Sequence, residues 1–349
     1  MSDKLTERNS SIELFRIVAT FYVLIIHLNG WMAGGMVDFN DSSIGFDHKI
    51  CQLLIESLTI VCVNSFLIIS GWCGIKLNFS SIWKMWVLLF SIYVPFYLFG
   101  IFLGNPFSIK ELLNKIIAFS CENYFIQNYL MLMLLSPVFN AFIENNKERM
   151  TIYAISLFLI EVVMESVFQN KCLFIAEGYS LFHFVTMYML ARVASLQKNK
   201  IISVAKYYWV IGYFICAVIV CLLSFTSYKY TWAYSNPVIV LESFCLFFPF
   251  LYKKFVNKYI NWIARGTFAV YVIQVTNPIM NALFKLDQYA VATYDYPVYL
   301  TLMFGFAIVF FAVCIVYKEI IHRILNPMFD PVKRCIEIKI NNILCVNNP

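Results

Sequence analysis

The chain has 349 residues, 61% of them apolar and 13% charged, with a net charge of +6 and a mean hydropathy of +0.73. Soluble domains are about 45–50% apolar and ~25% charged, so this composition excludes a soluble globular class and describes an integral membrane protein. The positive balance sits in short segments between apolar runs and implies no nucleic-acid partner.

A spanning helix needs about 20 apolar residues. Taken in chain order, such segments fall at 12–33, 52–74, 83–104, 122–143, 151–168, 179–196, 207–227, 235–252, 259–282 and 298–318. An even number of spans places both termini on one side. With the N terminus inside, nineteen of the 26 Lys and Arg face the cytoplasm and six face outward, while Arg16 lies within the first span. Positive residues are retained in the cytoplasm, so the expected fold is an all-α integral membrane protein. It is a bundle of about ten transmembrane helices with both termini cytoplasmic. Residues 1–318 form the transmembrane domain, and 319–349 form an amphipathic cytoplasmic tail against the inner leaflet. Tryptophans prefer the headgroup level. Trp72, Trp83, Trp86, Trp209 and Trp262 fall at inner span ends, and Trp31 and Trp232 at outer ends.

The first span is not read as a cleaved signal peptide, because Arg16 and His27 interrupt its apolar run. The eleven cysteines include no C-x-x-C pair, which points to buried thiols rather than a disulfide frame or a zinc site. No metal-ligating set, glycine-rich phosphate loop, repeat or soluble domain is visible.

The chemistry concentrates in the first span, "FRIVATFYVLIIHLNGW" at 15–31. A charge at mid-bilayer costs ~2.5–3.5 kcal/mol on insertion scales. Eleven residues at 100° each bring Arg16 and His27 to within ~20° of one helix face, ~16 Å apart along the axis. Taken singly, Arg16 can snorkel to the inner headgroups with Glu13 as an i,i+3 partner, and His27 can serve as an interhelical hydrogen bond. Together they describe a lined path with a cation at its mouth and a titratable group at depth.

That span, "SSIELFRIVATFYVLIIH", resembles the first helix of the membrane acyltransferase family 3, which carries an Arg and a His at this spacing. Further matches follow in order: "VNSFLIISGW" at 63–72, "ENYFIQNYLMLMLLSPVFN" at 122–140, "GTFAVYVIQ" at 266–274 and "ILNPMF" at 324–329. The resemblance covers nearly the whole chain. It implies transfer of an acyl group, most often acetyl, from cytoplasmic acyl-CoA to a sugar hydroxyl of a surface glycan or its lipid-linked precursor. It implies His27 as general base and Arg16 as holder of the donor, with no permanently bound cofactor. Two positions depart from the family pattern. Gln274 stands where a histidine is common, and Lys76 and Lys84 stand in place of paired arginines in the first cytoplasmic loop. The esterase-like outer domain of some relatives is not expected, since the chain stops soon after the tenth span.

Other polar residues in the spans carry two readings each. Asn64, Ser65 and Ser70 line the same path or bond helix to helix. Glu161 and Glu165, one turn apart, form an acid pair, or Glu165 is solvated near the outer end. Glu242 and Gln274 are functional or structural. Asn123, Asn128 and Tyr129 face a sugar from the outer side. His48 and His322 are solvated, His183 is structural, and Cys62 and Cys73 are packing thiols. The expected substrate contacts are therefore Asn64, Ser70, Lys76, Lys84, Asn128, Tyr129 and Gln274. The rival reading is a transporter, flippase or polymerase of glycan intermediates, with no acyl-CoA chemistry.

The charge asymmetry makes a topological prediction. Reporter fusions at Lys147, Lys200 and Lys254 should read cytoplasmic, and fusions at Asp41, Asn170 and Asp287 extracytoplasmic. Lys200 read outside would overturn the ten-span arrangement.

Overall fold

A computed structural model describes residues 8–36, 45–119, 123–166, 176–226 and 228–346, and these residues form helices with no strand. Helix α1 (Ser10–Ile26) runs without a break into a π-helical turn, His27–Met32. It is followed by α2 (Phe46–Thr59), α3 (Cys62–Cys73), α4 (Phe79–Phe102), α5 (Ile109–Ile117) and α6 (Tyr124–Asn145). Next come α7 (Met150–Ser166), α8 (Leu181–Leu196), α9 (Lys198–Ser203), α10 (Lys206–Ser224) and α11 (Pro237–Phe247), which ends in a 3-10 turn. The chain closes with α12 (Lys258–Ala264), α13 (Thr267–Gln274), α14 (Ile279–Thr293) and α15 (Tyr296–Val346). Six helical stretches are long and apolar enough to cross a bilayer: Ser10–Met32, Phe46–Cys73, Phe79–Phe102, Tyr124–Asn145, Lys206–Ser224 and Tyr296–Lys339. A pair bent by 78°, Lys258–Gln274 with Ile279–Thr293, makes a seventh if counted as one span. Leu181–Leu196 and Pro237–Leu251 are shorter apolar helices.

Helix starts follow from side-chain caps. Asn9, Asn78, Ser108, Asn123, Ser180, Asn236 and Asn257 each accept a first-turn N–H with a side-chain oxygen, satisfying donors that a helix leaves open. The Ser-Ser pair at the start of α1 also ties distant chain to it. Ser10 Oγ donates to Asn261 Oδ1 at 2.8 Å and accepts from Asn257 N at 2.7 Å, and Ser11 Oγ donates to Phe250 O at 2.5 Å.

The structure departs from the expected spans and loops in five places. Segment 52–74 is two helices, because Ser57 and Thr59 bond back to the Leu53 and Ile55 carbonyls just before the break, a contact that bends helices. Helix α2 starts at Phe46, so His48 is on a helix and stacked on the Tyr296 ring at 3.8 Å rather than solvated in a loop. The expected loop after α4 contains α5, started by Ser108 capping Glu111 N, an S-x-x-E box. It folds back along α4: Tyr97 Oη binds both the N–H and carbonyl of Ser108, and Trp86 Nε1 donates to Ile116 O. The expected loop after 282 is α14, which buries Asp287 beneath Tyr299. Residues after 318 continue α15 as one helix with the last apolar segment.

Two buried clusters share α1. Phe15 joins Leu67, Phe125, Phe184, Tyr188 and Phe247 on one side. Leu24 and Leu28 join Leu89, Ile273, Tyr299 and Phe311 on the other. Helix α3 packs tightly on α8 at Gly71. A Cβ at Gly71 would stand 2.5 Å from the Tyr188 carbonyl oxygen and 2.6 Å from the Ala191 Cβ, so only glycine permits this approach.

Gly71→Leu should therefore push α3 off α8 and cost more than the ~1–3 kcal/mol of ordinary overpacking, because the obstacle is backbone. Thermal unfolding in detergent checks this. Gly305→Leu, at a position with nothing within 4 Å of a Cβ, should leave the midpoint nearly unchanged.

Candidate functional site

Helix α1 is regular through Ile26, so Arg16 and His27 keep the shared face and the ~16 Å offset that the sequence implies. Arg16 is half-buried, its side chain 29% exposed, and its Nη1 donates to Glu13 Oε2 at 2.8 Å. Glu13 also faces Arg8 at 3.6 Å, so one carboxylate serves two guanidinium groups. His27 opens the π-helical turn, a geometry that recurs at functional sites because it redirects side chains and carbonyls. Its ring packs edge-on to Trp31 at 5.6 Å, and the neighbouring Leu28 carbonyl accepts from Tyr299 Oη at 3.1 Å. Nδ1 of His27 lies 3.3 Å from Gln274 Oε1. With the amide oxygen turned to Nδ1, the ring carries its proton there, and Nε2 keeps the lone pair that a base requires.

A line of side chains runs from His27 to the end of α3. Gln274 and Tyr271 share α13, one turn apart. Tyr271 Oη donates at 2.8 Å to Asn123 Oδ1, the cap of α6, and its ring meets Phe125 at 5.3 Å. Phe125 stacks on Tyr129 at 5.8 Å, and Tyr129 Oη lies 3.1 Å from Ser70 Oγ. Ser70 is three residues from Cys73, at the end of α3. The structure thus brings together His27, Gln274, Tyr129 and Ser70 from four helices.

Other expected contacts lie elsewhere. Asn64 is fully buried and turned away: its Nδ2 donates to Tyr234 O at 2.8 Å, and its Oδ1 lies 2.8 Å from His183 Nε2. Both ends of the amide are occupied, so Asn64 is a crosslink and not a substrate contact. Ser65 bonds back to Val61 O. Asn128 donates to Tyr179 O at 2.9 Å and fastens α6 to the segment before α8. Lys76 is exposed on the turn after α3. Lys84 is exposed on α4 and borders a groove with Lys318, His322 and Phe329 of α15, away from the line. Cys62 is buried, whereas Cys73 is exposed.

Glu161 and Glu165 do not form an acid pair. Glu165 is buried, not solvated, and accepts from Ser235 Oγ. Glu161 Oε1 lies 3.0 Å from Nδ1 of His183, and both side chains are fully buried. Because Asn64 Nδ2 donates to a carbonyl, its oxygen must face Nε2, which therefore carries hydrogen. One proton then lies between Nδ1 and Glu161, whichever of the two holds it. Glu242 is fully buried, and among the described residues neither carboxylate oxygen has a hydrogen-bond partner. The sequence reading missed Arg192, counted there among loop charges, although "YMLARVASL" sets it in an apolar helix as Arg16 is set. It also missed Glu56, buried on α2 and accepting from Asn29 at 2.9 Å.

Comparison with known protein families, with characterised proteins and with solved structures finds no match to this chain.

The His183 network makes its own prediction. Glu161→Ala leaves Nδ1 facing nothing in the core and should cost on the order of 3–5 kcal/mol, as when one partner of a buried pair is removed. Glu161→Gln, whose amide N–H can donate to a neutral ring, should cost clearly less. Thermal midpoints of the two variants in detergent measure the difference. Equal losses would mean that a negative charge at 161 is indispensable.

Proposed function

We propose that the chain is an integral-membrane O-acyltransferase of the family 3 type, crossing the plasma membrane ten times with both termini in the cytoplasm. It passes an acyl group, most simply acetyl, from cytoplasmic acyl-CoA to a hydroxyl of a surface glycan or its lipid-linked precursor. The observation that carries this reading is the run of polar and aromatic side chains from His27 through Gln274, Tyr271 and Tyr129 to Ser70, with Arg16 on the same face of α1 as His27. A donor with a charged head and a reactive thioester at the end of a long arm fits a cation and a base held ~16 Å apart.

The roles divide accordingly. Arg16 binds donor phosphate, as a guanidinium does through paired N–H groups. His27 Nε2 takes the proton of the acceptor hydroxyl as its oxygen attacks the thioester carbonyl. The carbonyl carbon–sulfur bond breaks, and the sulfur leaves as thiolate, with a pKa of roughly 8.5, far below that of an alcohol. Gln274 fixes the tautomer that this step needs, and Tyr129 and Tyr271 present hydroxyls and ring faces that suit a sugar. The competing transporter reading draws support from the partnerless carboxylate of Glu242, and it requires no acyl-CoA.

His27→Ala should leave acetyl-CoA binding nearly intact and lower glycan acylation about 10²–10⁴-fold. Arg16→Ala should mainly weaken donor binding, and Arg16→Lys should restore it only in part. Donor affinity and acylation are measured side by side on variants shown to be folded. Acylation at the wild-type rate by His27→Ala would place the base elsewhere. Absence of acetyl-CoA binding by the wild-type protein would favour the transporter.

A further inference from the structure

Helix α14 leaves α13 at the 78° bend, and a cavity of about 260 Å³ lies between α14 and α15. Leu286 and Tyr289 of α14, Tyr294 of the joining turn, and Leu302 and Phe306 of α15 line it. Two further lining side chains are polar and buried: Asp287, only 6% exposed, and Tyr299. Tyr299 Oη lies 3.1 Å from the Leu28 carbonyl oxygen, and 3.3 and 3.4 Å from the two Asp287 carboxyl oxygens. A phenol has one hydrogen. The Leu28 carbonyl is the nearer acceptor, and a hydrogen spent there leaves the carboxyl without a donor. Among the described residues Asp287 has no ion pair and no other hydrogen bond. Lys285, the basic residue nearest to it in sequence, is turned ~200° around the α14 axis. A buried carboxyl short of both a donor and a counter-charge is costly, and the cavity it lines has room for a group that supplies the two together.

We propose that this cavity binds the primary ammonium of a membrane-lipid headgroup, with Asp287 as its counter-ion. The ammonium brings the N–H donors that Tyr299 has no hydrogen to supply, and a positive charge for the carboxylate. The tyrosine rings of the lining add to this, since aromatic rings attract cations. The surroundings of the cavity favour a lipid over a soluble amine. Leu286 and Leu302 are exposed beside it, and Leu302 and Phe306 belong to Tyr296–Lys339, a stretch long and apolar enough to cross the bilayer. A soluble amine would have to arrive through hydrocarbon. A lipid enters sideways, its headgroup on Asp287 and its chains along Leu302 and Phe306. The site does not rest on the acyl-transfer reading, although Leu28, which borders it, is the residue after His27.

The opposing reading is that Asp287 serves only as an acceptor that holds Tyr299 in place. The test follows thermal unfolding of the purified protein in neutral detergent, with phosphatidylethanolamine, phosphatidylglycerol or free ethanolamine added. Phosphatidylglycerol has headgroup hydroxyls and no ammonium, and ethanolamine has the ammonium and no chains. Phosphatidylethanolamine should raise the wild-type midpoint more than phosphatidylglycerol does, and it should bind about tenfold or more weakly to Asp287→Asn. Phosphatidylglycerol should not distinguish the two proteins. Without lipid, Asp287→Asn should unfold no lower than wild type, because its amide N–H can donate to Tyr299 Oη while the phenol hydrogen stays on Leu28 O. Ala290→Phe, which fills the cavity and leaves Asp287 in place, should also lose the phosphatidylethanolamine effect. A fall in midpoint, or loss of the folded protein, in Asp287→Asn without lipid would assign the carboxyl to structure and overturn the proposal. Equal gains from the two lipids, or a phosphatidylethanolamine gain that survives in either variant, would overturn it as well. An Asp287-dependent gain from ethanolamine as large as that from the whole lipid would overturn the assignment to a lipid.

Discussion

The crossing of α3 on α8 at Gly71 sets the rest of the interior. Two helices meet here at a distance that no side chain larger than hydrogen allows. On one side of the crossing, two turns away, Asn64 reaches His183. On the other, three residues away, Gly74 receives the Arg192 guanidinium and Tyr188 clamps Ile75. Ser70, the residue before Gly71, is thereby aimed at Tyr129. A single close contact fixes the depth of a buried network and of a polar turn together.

His183, fully buried, and His27, half-buried, show how surroundings set what one side chain can do. His183 has both ring nitrogens occupied and no exposed surface, and its partners come from α3 and α7. Such a ring can hold helices together and cannot meet a substrate. His27 has one nitrogen engaged by Gln274 and the other without a partner among the described residues, and it sits where α1 changes to a π-helical turn. Hydrocarbon surroundings make an unfilled hydrogen-bonding position costly. Among the described residues His27 thus keeps a ring nitrogen that His183 does not have to spare.

What was legible in the sequence was whatever lies within one helix. The apolar runs, the Arg16–His27 face and the Glu13 partner all follow from local spacing, and the structure keeps them. The Ser108–Glu111 cap that starts α5 was present in the sequence too, but charged residues on both sides gave that segment the look of a loop. Orientation across helices was not legible. Asn64 meets partners 119 and 170 residues away, and no spacing in α3 distinguishes its buried side from the side that carries Ser70. Arg192 and Glu165 failed for the same reason. Each lies near a helix end, where exposure is the ordinary expectation, and each is turned inward by elements remote in sequence.

The flank formed by α4, α5 and α15 has a consequence for the lipid around it. Lys115 of α5 stands 5.8 Å from the ring of Tyr93, near the middle of α4. From the opposite direction, Tyr317 donates to Ser91 O, and the adjacent Lys318 borders a small groove of about 60 Å³ with Val87 and Ser91. Two ammonium groups therefore approach within a few turns of each other along one helix. Hydrocarbon does not solvate ammonium groups, so headgroups and water must follow them inward. A bilayer meeting this flank would have to thin locally below its ordinary ~30 Å.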